Sequence, residues 1–70
     1  MYDVPYMLRH YRRTTPAVLE DVDWHRFQAK SDDMAISEAL ARIRGNFDER
    51  TDYVPLWYGT NLIWEYGKRA

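Results

Sequence analysis

The stretch that decides the fold is Phe27-Gln28-Ala29-Lys30-Ser31-Asp32-Asp33-Met34-Ala35-Ile36-Ser37-Glu38-Ala39-Leu40-Ala41-Arg42-Ile43-Arg44-Gly45. It reads as the end of a strand, a capped helix of about three turns, and a glycine stop. Ser31 is a good N-cap, because its hydroxyl can accept from a free N–H of the first turn. Asp32 and Asp33 follow in that turn, where the helix dipole favours anions, and Arg42 and Arg44 lie at the end that favours cations. Ile36, Ala39, Leu40 and Ile43 recur at spacings of three and four, giving one apolar stripe. Gly45 is the natural left-handed stop, with Asn46 as a second candidate.

On either side the chain reads as strand pairs. Val4 to Arg13 is aromatic, apolar and arginine-rich and forms strand one. Thr14-Thr15-Pro16-Ala17 is a breaker, since Pro16 fixes its φ and has no N–H. Val22 to Lys30 is strand two, with Trp24 and Phe27 suited to a pleated surface. After a polar connection, Asn46 to Asp52, come strand three (53–58), a short loop at Gly59-Thr60-Asn61 and strand four (62–66). Gly67 to Ala70 reads as a polar, frayed tail. Pro55 cannot donate to a ladder, so strand three is expected at an edge or at a bulge. The order β-β-α-β-β predicts an α+β fold: a mainly antiparallel sheet with one helix on one face. The pattern leaves open which other strand lies beside strand one.

At 70 residues the chain is one small domain, with an expected ordered core of about 4–67. Such a chain buries only about 60% of its unfolded surface. It has no cysteine, so disulfides cannot compensate for that thin margin. Three Trp, six Tyr and two Phe supply large buried areas instead. No apolar run reaches the ~20 residues that span a bilayer. Met1 to Pro5 lacks the basic and apolar regions of a secretory signal. The expectation is a cytoplasmic chain. Its net charge of −1 gives no global attraction to nucleic acid or anionic lipid. The distribution is uneven, however. Arg9-His10-Tyr11-Arg12-Arg13 has no acid, whereas acids gather at Glu20-Asp21-Val22-Asp23 and at Asp32-Asp33.

Strand side chains alternate between faces. Phe27 and Ala29 lead into the helix, so they and His25 belong to the covered face, with Val4, Tyr6, Leu8, Val54, Leu56, Tyr58, Leu62, Trp64 and Tyr66. The open face then carries Met7, Gln28, Lys30, Pro55, Ile63 and Glu65, together with Arg9, Tyr11, Arg13, Trp24, Arg26, Tyr53 and Trp57. This last set is the candidate partner-binding site, because Trp, Tyr and Arg dominate interface hot spots. The plainer reading has arginines stacking on aromatics to shield an ordinary sheet. Opposing Tyr11 to Trp24 would set Arg9 against Arg26. A shift by two, with Arg13 opposite Trp24 and Tyr11 opposite Arg26, is the better register.

Catalytic chemistry is not indicated. His10, His25 and Asp23 have no specific metal-ligand spacing, and partly buried, hydrogen-bonded histidines are the simpler reading. Ser31 is better used as a cap than as a nucleophile, and Gly45, Gly59 and Gly67 each mark a break rather than a phosphate loop. No cofactor and no metal are expected. The strands also lack the glycine-bearing pattern of an RNA-recognition domain.

The stretch Phe27 to Ser31, followed by Ala35 and Ala39 and then an aromatic hairpin, resembles the strand–helix–hairpin layout of some small phage-encoded anti-CRISPR proteins. In scale the chain is also similar to phage inhibitors of host RNA polymerase. The resemblance covers roughly residues 22–67 and transfers no functional residue. It implies a non-enzymatic inhibitor or modulator that occupies a surface of a host protein complex in the host cytoplasm. Nucleic-acid binding by the same face, and a homodimer formed through aromatic faces or outer strands, are the alternatives.

Overall fold

The structure is a computed structural model that describes residues 4–67. Its elements are β1 (Val4–Thr15), β2 (Val18–Ala29), α1 (Asp32–Ile43), β3 (Asp52–Tyr58) and β4 (Asn61–Gly67). The strands form one antiparallel sheet in the order β2-β1-β3-β4, with the helix on one face. This is the expected α+β fold and element order. Gly67, expected to open the polar tail, instead closes β4 opposite Tyr53; the rest of that tail, 68–70, and the inward side chain expected at Val4 fall outside the described residues.

The first hairpin is longer and tighter than expected. Its turn is only Pro16-Ala17, and β2 begins at Val18 rather than Val22 and ends at Ala29 rather than Lys30. Glu20 and Asp21, which precede the expected start of strand two, are strand residues because β1 supplies cations beside them. Glu20 opposes Arg12, and the Arg9 guanidinium bonds Asp21 at 2.8 Å. The short turn sets the register, and it is neither of the two weighed above. Arg9 faces Trp24 and Met7 faces Arg26. Two bulges interrupt the pairing, with Val22 the extra residue on β2 and Thr14 on β1.

Strand β3 is not at an edge: it lies between β1 and β4. Pro55 is tolerated there because the β1–β3 ladder skips it. Pairing holds at Leu8–Leu56 and resumes at Tyr11–Tyr53, with no pair at Pro55. On its other side Pro55 faces Glu65. The β3–β4 ladder shifts register after Leu56, where Ile63 is the extra residue. That bulge corrects two expectations. Leu62 pairs with Trp57 and so belongs to the open face, while Ile63 packs against the core.

The core consists of Tyr6, Leu8, Ala29, Ala35, Ala39, Ile43, Val54 and Leu56. On the helix the buried line is Ala35-Ala39-Ile43, with Ile36 at its margin, whereas Leu40 is 39% exposed. Alanine at two of the three contact positions brings the helix close to the sheet. Ser31 Oγ accepts from the Met34 N–H at 3.2 Å, as the capping pattern predicts. Gly45 sits at φ +84°, the left-handed stop. The Tyr6 hydroxyl donates to Asp32, tying the first turn to β1. Burial first, and then this carboxylate, push the Tyr6 phenol up to about 12. Toward its other end the helix holds β2 through Arg42, which pairs with Glu38 at 3.0 Å and lies 5.3 Å from the Phe27 ring centroid.

Candidate functional site

The register puts Arg9, Tyr11, Arg13, Trp24, Arg26, Tyr53 and Trp57 on one face, opposite the helix. Alternation along β1 sends Leu8 inward, so Arg9, Tyr11 and Arg13 point away from it. On β2, Trp24 and Arg26 oppose Arg9 and Met7 and share their face; on β3, Tyr53 and Trp57 oppose Tyr11 and Met7. The seven side chains are not equally available. Trp24 is 53% exposed, and Arg26 is also exposed. Arg9, Tyr11, Arg13 and Trp57 are half-buried. Tyr53 is only 7% exposed and stacks on Tyr11, with ring centroids 6.3 Å apart, so it supports the face rather than presenting itself.

Three arginines share this face with Asp21 and Glu65, and Arg9 is committed to Asp21. Arg13 donates to the Pro16 carbonyl at 2.7 Å and holds the hairpin turn. Arg26 is exposed and lines a shallow depression of about 340 Å³ with Pro5, Tyr6, Met7 and Gly59. A planar guanidinium beside an exposed indole offers two bonds to a carboxylate and an apolar surface next to them. A roomier depression on the helix, about 480 Å³ and lined by Asp33, Met34, Ser37 and Glu38, lies away from this face and has no aromatic wall.

On the covered side is a polar cluster that the sequence reading missed. Asp52, the first residue of β3, is fully buried. Its carboxylate accepts from His10 Nε2 at 2.7 Å, from Arg12 Nε at 2.8 Å and Nη2 at 3.0 Å, from the Thr51 hydroxyl at 2.9 Å and from the Asp48 N–H at 3.1 Å. The Arg12 bonds, with smaller contributions from His10 and the Asp48 N–H, hold its pKa well below the usual carboxylate range despite burial. Next to it, the Arg50 N–H chiefly lowers the Asp48 pKa, donating to Asp48 Oδ1 at 2.9 Å. The cluster fastens the 46–51 connection and β3 to β1. Every bond of Asp52 is a structural one, and no buried side-chain nitrogen or oxygen among the described residues lacks a partner. A signal for it was present, since His10 and Arg12 share the parity of Tyr6 and Leu8, and an inward arginine requires a buried anion.

The two histidines do not converge on a metal. His10 bonds Asp52, while His25 lies 3.2 Å from its strand neighbour Asp23. Among the described residues no group of three His, Cys, Asp or Glu is arranged to hold an ion, and no helix is long and apolar enough to cross a membrane. No protein-family model, curated protein or solved structure matches the chain.

Proposed function

We propose that this chain is a non-catalytic binding module that engages a protein partner through the sheet face opposite its helix. The observation that carries the reading is the exposed Trp24 with Arg26 on the same strand and the same face, opposite the helix. Trp24 and the outer part of Trp57 supply apolar anchors, and Tyr11, backed by Tyr53, extends them. Arg26 and the accessible parts of Arg9 and Arg13 meet carboxylates on the partner. The partner is therefore an acidic protein surface. A host protein complex, such as an RNA polymerase or a CRISPR effector, is the kind of target that the phage-inhibitor resemblance adds to this reading.

Direct nucleic-acid binding is the weaker reading, because Asp21 and Glu65 share the face with the three arginines. Salt separates the two. Phosphate-led binding falls steeply with added salt, whereas aromatic anchoring does not. A mobility-shift titration with single-stranded and duplex nucleic acid at two salt concentrations is expected to show no complex. A salt-sensitive complex at low salt would overturn the protein-partner reading. Its positive test is partner retention by Trp57→Ala and Arg13→Ala variants, both expected to bind less than the parent chain while melting as folded proteins.

A further inference from the structure

The outer edge of β2 carries no strand, and the charges along it have a particular order. Glu20, Asp21 and Asp23 occupy its first half, and His25 and Arg26 its second, with Trp24 between them. A strand that is acidic on one side of its midpoint and basic on the other is self-complementary when two copies run antiparallel, because each half meets its opposite. The geometry points to a two-fold homodimer formed by the β2 edges of two copies, with Trp24 on the dyad.

The register follows from the faces. With Trp24 opposite Trp24 of the second copy, Asp23 meets His25, and both lie on the helix side in each copy. Val22 is already the extra residue against β1. Left out of the new ladder in the same way, it brings Asp21 opposite Arg26 of the second copy, both on the open face. Glu20 then meets Phe27, and Leu19 meets Gln28. The Asp21–Arg26 ion pair and the Asp23–His25 contact each occur twice by symmetry, and no like charges oppose. The neighbouring registers fail this test. A dyad at Arg26 or at Asp23 sets a charge against itself, and one at His25 sets Asp23 against Phe27. The β4 edge has no such pattern, since Glu65 is its only charge within Asn61–Gly67.

Two further observations fit the β2 edge. Its residues from Val18 to Gln28 are all exposed or half-exposed, including Val18, Val22 and Trp24. The Trp24 N–H donates to Asp23 Oδ1 at 2.8 Å, so in the single chain a neighbouring carboxylate serves this donor. In the pair that carboxylate gains His25 of the second copy, and the N–H gains a carbonyl of the opposing strand. The result is an eight-stranded sheet in which the open faces of both copies are continuous. This inference does not depend on what the open face binds.

Sedimentation of the full chain over a concentration series tests it. A reversible monomer–dimer equilibrium is expected. Arg26→Asp should weaken it on the order of tenfold, since each change reverses two symmetric pairs. Trp57→Ala, which is off this edge, should leave it unchanged. Because the chain has no cysteine, Trp24→Cys should form an intermolecular disulfide on mild oxidation, since facing residues in an antiparallel pair lie about 4.5–5.5 Å apart, within disulfide reach. Gln28→Cys should not, because its own copy lies far along the strand. The Cys variants keep the Asp21–Arg26 and Asp23–His25 contacts and read the register even if a charge reversal perturbs the fold. A monomer at every concentration, a dimer indifferent to Arg26→Asp, or cross-linking through Cys at 28 as readily as at 24 would overturn the inference.

Discussion

Asp52 shows how one buried charge organises its surroundings. A carboxylate with no exposure survives only because arginine, histidine, hydroxyl and backbone donors replace its water. Asp52→Ala would leave the half-buried Arg12 and the buried His10 without their anion. It is expected to cost about 3 kcal/mol, read by urea denaturation. The folded-state pKa lies below the unfolded value of about 3.9, so the native protein holds fewer protons at this site. The stability that Asp52 adds is complete above that value and is lost as pH falls toward the folded pKa. Asp52→Asn should therefore flatten the acid limb of a stability–pH curve, and an unchanged limb would count against the cluster. Gly67 is a second residue under local constraint. It has φ +94°, and a Cβ there would run into the Asp52 carbonyl and the Phe47 ring. Gly67→Ala is expected to destabilise by more than about 1 kcal/mol in the same denaturation assay.

Elements were legible in the sequence where local chemistry determines them. The helix start at Ser31, its stop at Gly45 and its acidic first turn all depend on neighbours within a turn, and the structure has them where the sequence puts them. Strand alternation likewise placed all seven candidate residues on one face. What the sequence did not reveal depends on distant partners. Glu20 and Asp21 lie ahead of the expected strand until Arg12 and Arg9 are beside them; Pro55 reads as an edge or bulge signal until the ladder skips it; Leu62 reads as inward until Ile63 bulges. Asp52 reads as the end of a polar connection because its donors on β1 are about forty residues earlier. The helix contact follows the same division. The stripe was evident, but only the packed sheet selects Ala35 and Ala39 over Leu40 as its centre. A close approach leaves no room there, so Ala39→Leu should cost about 1–3 kcal/mol in thermal or urea unfolding. Leu40→Ala, at an exposed position, should cost less, and the reverse order would mean that the helix packs on a different side.

At the scale of the whole molecule, strands β1 and β3 each lie between two others and carry the core, whereas β2 and β4 each have one free edge. Amide exchange should follow that order. The amides of β1 and β3 around Leu8 and Leu56 are expected to be slowest, and those near Val18 to Val22 among the fastest in the sheet. A chain this small cannot cover both faces of its sheet with one helix. The uncovered face holds the exposed indole and the arginines, and the proposed recognition rests on it. The most direct test is the double variant Trp24→Ala/Trp57→Ala, measured for cooperative thermal unfolding and for partner retention from the native host. The account predicts a folded protein that no longer retains the partner held by the parent chain. A double variant that fails to fold, or one that retains the partner undiminished, would contradict it.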